Sequence, residues 1–341
     1  MAETVLSDTP PPQTQQPSEK PESFLSKVGQ FLTRQREASV LVVVVVLFIY
    51  FGISSSNFVS FENVRTIAQY IAPVAIVATG EVFLLICGEI DISVGSVFAM
   101  TPFIMYFLNQ DGLPLWLSLA LALVVAMCVG LVNGLATVWL KIPSLIATLG
   151  TQFLIMGITL TLSSGEPVIP PEVGNLNQIF GEGAFSEIIW AVILVIIFQI
   201  VLSFTRWGMH TVASGGNLLG ASEAGVSVNK IKIVNFMLAS LLGGLAGAME
   251  GFRIQSIDPL NGGTTLMFNA VAGAVIGGTA LNGGIGTIVG AFLGVTALQT
   301  INDGFTLLGV SAYVYYIILG IAILAAMVLN LRLRFWREGK R

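Results

Sequence analysis

Apolar runs, each about as long as a bilayer is thick, alternate along this chain with short polar connections. A hydrocarbon core of about 30 Å takes roughly 20 residues of helix at about 1.5 Å rise each, because backbone polar groups find no water there. That length parses the chain into spans at Ala38 to Ser54, Thr66 to Cys87, Val94 to Phe107, Leu115 to Leu140, Ser144 to Leu162, Glu187 to Phe204, Ile233 to Met249, Thr264 to Leu281, Ile285 to Ile301 and Ala312 to Leu329. The third is short, and only Asn282, Gly283 and Gly284 separate the eighth from the ninth. That pair reads as two spans or as a re-entrant or broken element, which lowers the count to eight or nine. The expected fold is all-α, a polytopic transmembrane bundle of about ten helices with discontinuous elements.

Composition points the same way. Hydrophobic residues make up 55% of the chain and charged ones 10%, where a soluble domain carries about 25% charged. No water-soluble surface can be built from that inventory, so apolar side chains must face lipid as well as a core. With an inside N-terminus, all Lys and Arg except Arg65 and Arg253 fall in segments on the cytoplasmic side, thirteen of the fifteen. The positive-inside rule then places both termini in the cytoplasm and supports an even number of crossings. The connection from Ser163 to Ser186 carries only acidic charges.

The flanks differ from the middle. Residues 1–23, rich in Pro, Gln, Ser and Thr, read as a disordered cytoplasmic tail rather than a signal peptide. In residues 24–37, Phe24, Leu25, Val28, Phe31 and Leu32 oppose Lys and Arg, as in a segment lying on the inner membrane surface or extending the first helix. Residues 38–330 form the transmembrane domain and 331–341 a basic cytoplasmic tail. Cys87 and Cys128 sit in apolar spans without metal-ligand company and behave as small hydrophobes.

Enzymatic signatures are missing: there is no phosphate loop, no H-E-x-x-H and no serine elbow, and His210 is the only histidine. The chain is therefore read as no enzyme, with no metal and no cofactor of its own. Gly220-Ala221-Ser222-Glu223-Ala224 lacks the elbow's closing glycine. Glycine is abundant instead. The pairs Gly243/Gly247, Gly247/Gly251, Gly273/Gly277, Gly286/Gly290 and Gly290/Gly294 have the spacing that lets helix backbones approach closely.

Glu81 is the acid well inside a span, about 9 Å from the inner end of the second helix. A charge at mid-bilayer costs about 2.5 to 3.5 kcal/mol on insertion scales, so Glu81 should face a polar cavity or a partner, or stay protonated as a structural group. Tyr70 is on the same helical face. Gly88-Glu89-Ile90-Asp91-Ile92-Ser93-Val94-Gly95-Ser96 follows. There Asp91 or Ser93 caps the next helix, or the segment is a broken element lining a translocation path.

These residues carry a resemblance. Glu89-Ile90-Asp91-Ile92-Ser93-Val94-Gly95-Ser96 resembles the G-I-D-L-S-V-G-S signature of bacterial sugar ABC importer permeases of the ribose, xylose, arabinose and galactoside type. Gly215-Gly216-Asn217, Ala221 and Ala224-Gly225-Val226-Ser227-Val228 are similar to that family's cytoplasmic loop. Val275-Ile276-Gly277-Gly278-Thr279-Ala280-Leu281-Asn282-Gly283-Gly284-Ile285-Gly286-Thr287 is similar to its V-I-G-G-T-S-L-x-G-G-x-G-T run. Departures accompany the matches. Met267, Phe268 and Asn269 stand where the family carries E-L-D, Glu89 replaces a common glycine, and Glu81 an uncharged residue.

The resemblance implies a permease subunit in a bacterial inner membrane, paired with a second permease subunit, identical or paralogous. Two cytoplasmic ATP-binding subunits and an extracytoplasmic solute-binding protein complete the machine, ATP being held by those partners; no nucleic acid is involved. The solute is a sugar or related small polar molecule. The expected path residues are Tyr70, Glu81, Glu89, Asp91, Ser93 and Asn269. Residues 205–232 are expected to couple to the ATPase through Gly216, Asn217, Ala221, Glu223, Ala224 and Gly225, with a short helix over Asn217 to Ala224 closed by Gly225. An ion-coupled secondary transporter using Glu81 and Asp91 is the alternative.

Overall fold

The computed structural model describes residues 36–171, 177–311, 313–322, 324–325 and 328. The two tails, and residues 24–35 of the amphipathic segment, lie outside the described residues. Helix α1 is Arg36–Ser54, α2 Phe61–Ile86, α3 Val94–Gln110, α4 Leu115–Val138 and α5 Ser144–Ser163. After a π-helical turn at Gln178–Glu182 come α6 Ser186–Phe204, α7 Arg206–Gly216, α8 Leu218–Glu223 and α9 Val228–Ile254. Then α10 is Gly263–Ile276, α11 Ile288–Leu307 and α12 Tyr313–Ala322. Among the described residues there is no strand, only an isolated antiparallel bridge between Val168 and Ile257. The all-α expectation holds.

Helix α2 is the axis of the bundle. Every residue from Ile71 to Ile86 is buried, whereas α1 exposes Leu41, Val42, Val43, Val45, Val46 and Ile49. A helix apolar all round and buried is a core element, and an apolar helix exposed on most of its surface in a folded chain faces lipid. Helix α9 packs most extensively on α4, then on α2 and α3. Small residues make that possible. A Cβ added at Gly130 would sit 2.3 Å from the carbonyl oxygen of Phe236, and one at Gly247 would sit 1.9 Å from that of Phe98. The four-residue glycine spacings are thus used for packing within the chain: Gly243 and Gly247 meet α3, while Gly273 and Gly277 meet α11 at Val295 and Gly290.

Six of the helices, α1, α2, α4, α5, α6 and α9, are long and apolar enough to cross a membrane by length and composition. The other sequence-derived spans are shorter or more polar, each for a physical reason. Helix α3 has 17 residues and begins beyond a break. Helix α10 has 14 residues, about 21 Å, so the span expected to run from Thr264 to Leu281 ends early and the eighth and ninth elements form a broken pair. Helix α11 has 20 residues but carries Thr296, Gln299, Thr300 and Asp303, all buried against protein. Asp303 accepts a hydrogen bond from Asn63 Nδ2 at 2.8 Å. Residues 205–232, expected as a loop, are mostly helical, and Lys230 and Lys232 belong to α9.

At the α7 end of the bundle, Asn235 of α9 ties three helices together. Its Nδ2 donates to Phe83 O at 3.3 Å, Cys87 Sγ at 3.2 Å and Thr211 Oγ1 at 3.4 Å, while its Oδ1 accepts from Trp207 Nε1 at 2.9 Å. Asn235 is fully buried. Replacement by Ala strands the Trp207 N–H, and each unsatisfied buried group costs about 1–3 kcal/mol. Asn235→Ala should therefore lower the thermal midpoint of the purified protein in detergent, and an unchanged midpoint would refute the role given to this side chain.

Candidate functional site: a polar break inside the bundle

Helix α2 ends at Ile86, and the chain turns at Gly88 (φ +73°), where the left-handed backbone suits glycine. Residues 88–93 then run non-helically until α3 starts at Val94. Backbone donors so exposed inside an apolar bundle need partners, and α5 supplies them. The Ile90 N–H donates to Ser144 Oγ at 3.4 Å and the Ile92 N–H to Thr148 Oγ1 at 3.2 Å.

Asp91 is the centre of this break and is completely buried. Its Oδ1 accepts from the Ser93 N–H at 2.9 Å and from Ser93 Oγ at 2.6 Å. Asn133 Nδ2, from α4, lies 3.3 and 3.2 Å from the two carboxylate oxygens and 2.8 Å from Ser93 Oγ. Ser240 Oγ, from α9, donates to Oδ2 at 3.5 Å. Ser93 is the residue before α3 but makes no side-chain cap bond. Asp91 therefore folds the turn and gathers α4 and α9 rather than capping α3.

Glu81 is brought to the same place. Its Oε2 accepts from the Asp91 N–H at 3.5 Å, and its Oε1 is buried without a partner, as is Asn133 Oδ1. The donors thus converge on Asp91, a full complement for a carboxylate, while Glu81 has one long bond. Four elements meet here: Glu81 from α2, Asp91 and Ser93 from the break, Asn133 from α4 and Ser240 from α9.

The remaining expected path residues lie elsewhere. Tyr70 is 46% exposed although Glu81, on the same helix, is wholly enclosed, so the shared face expected for the two is not a shared cavity. Glu89 pairs with Lys232 of α9; both border a cavity of about 500 Å³ lined also by Leu218, Ser222, Val226 and Asn229. Asn269, in α10, accepts from Tyr315 Oη at 3.2 Å and so joins α10 to α12. Asn133, Ser240, Ser144 and Thr148 were not singled out from sequence. The available signal was a polar side chain inside an otherwise apolar span.

The α7 end carries the second feature. Asn217 caps α8, its Oδ1 accepting from the Gly220 N–H at 2.9 Å. Gly225 (φ +84°) closes it: the Gly225 N–H donates to Ser222 O at 3.0 Å and the Val226 N–H to Ala221 O at 2.9 Å, the paired bonds of a Schellman stop. A short helix expected over Asn217 to Ala224 is found at Leu218–Glu223. Ala221 faces inward, while Leu218, Leu219, Glu223 and Ala224 are exposed. Behind it, Gly215 meets the α2 end and the α10–α11 turn so closely that a Cβ would lie 1.6 Å from Ile86 O and 2.8 Å from Gly284 N. The Gly284 N–H donates to Ile86 O at 2.7 Å. The short helix is thereby in backbone contact, through α7, with both broken elements.

A model of the family described as branched-chain amino acid transport system / permease component matches residues 63–327. The xylose/arabinose import permease of Sulfolobus acidocaldarius is 37% identical over 310 residues, 88% of this chain and 86% of that protein. The ribose import permease of Bacillus subtilis is 32% identical over 322 residues, 93% of this chain and 97% of the other. The autoinducer 2 import system permease of Escherichia coli is 33% identical over 308 residues, covering 89% and 90%. No solved structure matches the chain.

Proposed function

The chain belongs to the branched-chain amino acid transport system / permease component family, a multi-pass membrane permease, and from that premise we propose that it forms the translocation path for a sugar or related small polar solute in an ATP-driven importer. The observation that carries this reading is its near full-length likeness to permeases named for xylose/arabinose and ribose. In this reading the chain pairs with a second permease subunit, two cytoplasmic ATP-binding subunits bind at α8, and a solute-binding protein delivers to the opposite end. ATP is held by the partners. Both termini lie in the cytoplasm of a bacterial cell, with the chain in its inner membrane.

The polar break fits such a role. Irregular backbone inside a membrane protein is tolerated where protein side chains satisfy it, and broken helices let a bundle rearrange about a point within the membrane. Asp91, Ser93, Asn133 and Ser240 would hold the break of one half while Gly283 and Gly284 seat the other against α7. Ion coupling through Glu81 and Asp91 is the second reading, favoured by the two carboxylates being buried without a cationic side chain among their hydrogen-bond partners.

Co-expression with its ATPase and binding protein, followed by radiolabelled D-xylose and D-ribose uptake into membrane vesicles, separates the two. Uptake that requires the ATPase and a Walker-competent nucleotide site supports the importer; uptake driven by an ion gradient without the ATPase supports the alternative. Orientation is checked by labelling single cysteines. Cysteines replacing Glu166 or Ser164 should react from outside, and one replacing Ser222 only after the membrane is opened. Reversed accessibility would overturn the proposed topology.

A further inference from the structure

Between α3, α5 and the segment leading into α10 lies a cavity of about 140 Å³, several times the share of one liquid water, roughly 30 Å³. Its position is set by a re-entry. Helix α9 ends at Ile254, the bridge between Ile257 and Val168 holds the chain there, and residues 258–262 then dip back into the bundle. The descent ends where Gly263 meets α3: a Cβ on Gly95 would lie 2.0 Å from the Gly263 carbonyl oxygen. On α5 the cavity spans Gln152 to Thr159, about 12 to 22 Å along a helix of about 30 Å. This places it at mid-depth of the bundle, above the polar break.

Most of the lining is apolar, with polar groups from Ser96, Gln152, Thr159, Asn261 and Thr264, and no lining side chain is ionisable. Gln152 is 5% exposed. Its Nε2 donates to Thr264 Oγ1 at 2.8 Å, and its Oε1 is buried without a partner. Helix α10 begins beside it with no side-chain cap, and its first residues, Gly263 and Thr264, line the same cavity, so the positive end of the helix dipole lies there. An unmatched acceptor thus shares the cavity with the N–H end of a helix. A hydroxyl group serves both, because it donates one hydrogen bond and accepts two.

The geometry points to a subsite for a neutral polyhydroxylated solute, with Gln152 Oε1 accepting from a solute hydroxyl and the first turn of α10 donating to another. A zwitterion would bring two charges against a largely apolar lining with no opposite side-chain charge, at a desolvation cost that one helix terminus does not offset. Thr264 holds the Gln152 amide in register, and the exposed Leu260 borders the cavity. The subsite deepens the importer reading, because it gives the solute class from this chain's own residues.

The test uses the assembled complex in lipid nanodiscs, with Cys128→Ala removing the exposed native thiol and Leu260→Cys as reporter. The rate of labelling by a charged thiol reagent is measured against D-xylose, D-ribose and L-leucine. A pentose should slow labelling about threefold at about twice its dissociation constant, by mass action; leucine should not. Gln152→Ala should raise the protecting concentration about tenfold, as expected for a lost buried hydrogen bond, with the sugar-free labelling rate unchanged. Thr264→Val should act in the same direction and guards against a local collapse in the first variant. Absence of protection by either pentose, equal protection by leucine, or full protection in both variants would overturn the subsite. ATPase-dependent uptake with an unprotected reporter would remove the subsite and leave the importer reading intact. Protection without ATP-driven uptake would do the reverse.

Discussion

Replacing Asp91 by Ala will abolish recovery of the folded protein from detergent, whereas Glu81→Gln will leave both yield and transport near wild type. Asp91 accepts from the Ser93 N–H and Oγ, from Asn133 and from Ser240. Alanine strands the Ser93 N–H and the Ser93 and Ser240 hydroxyls, while Asn133 keeps only its bond to Ser93 Oγ, and at about 1–3 kcal/mol for each stranded donor the sum approaches the whole stability of a typical domain. Asp91→Asn keeps one acceptor oxygen but turns an NH₂ toward donors, so it should fall between. Glu81 has the opposite environment. One N–H at 3.5 Å is its only hydrogen bond, and its other oxygen has none. The donors gather on Asp91 and not on Glu81, and Gln keeps the shape of Glu81 and an acceptor oxygen for the Asp91 N–H, so it should substitute with little loss. Size-exclusion yield and sugar uptake, measured side by side, decide the matter. Normal yield with lost uptake in Glu81→Gln would put its charge into the transport cycle.

The lipid-facing helices were legible because their signal is local. Apolar length alone located α1, α4, α5 and α6 to within a few residues, and no other arrangement satisfies the backbone of such runs in a bilayer. The broken elements were less so. A run such as Thr264 to Leu281 is apolar enough to span, but Gly277 and Gly278 end its helix early. Whether a span continues there depends on the close partner, α11, with Gly290 against Gly277, which no window along the chain contains. The reverse holds for α11, whose buried Gln299 and Asp303 lower its hydropathy although it packs on α1, α2 and α10.

At the site, sequence spacing identified the residues that are close along the chain and missed those brought by register. Glu89, Asp91 and Ser93 sit in one segment and form one turn, and the short helix after Asn217 carries its own start and stop signals. Asn133, Ser240 and Thr148 look like ordinary interruptions of apolar spans; only the packing of α4, α9 and α5 around the break gives them partners. Helical phase likewise put Tyr70 with Glu81, but α2 leaves the enclosed core as it approaches Tyr70. Equal phase on a long helix does not mean equal surroundings.

Leu219→Glu will uncouple the permease from its ATPase while leaving the permease itself folded. The side chain is 73% exposed and its neighbour Leu218 50%, so neither contributes much to the fold, and in the proposed orientation both face water at the cytoplasmic end. Burying a leucine against a partner is worth about 1.5 to 3 kcal/mol. A carboxylate placed in that contact forfeits this and adds desolvation, so ATPase affinity should fall by about ten- to a hundredfold. Because α8 is braced by the Asn217 cap and the Gly225 stop, the loss is read at the contact and not through unfolding. Gly225→Ala tests the brace separately: a side chain at φ +84° costs about 1–2 kcal/mol, which should loosen α8 and lower solute-stimulated ATP hydrolysis with Leu219 intact. Behind α8, the contact of Gly215 with Ile86 and Gly284 joins this end of the bundle to both broken elements, and under the proposed docking it would carry ATPase movement to them. Co-purification of the ATPase with each variant, alongside uptake, is the measurement. Full co-purification and uptake in Leu219→Glu would place the docking surface elsewhere on this end of the bundle.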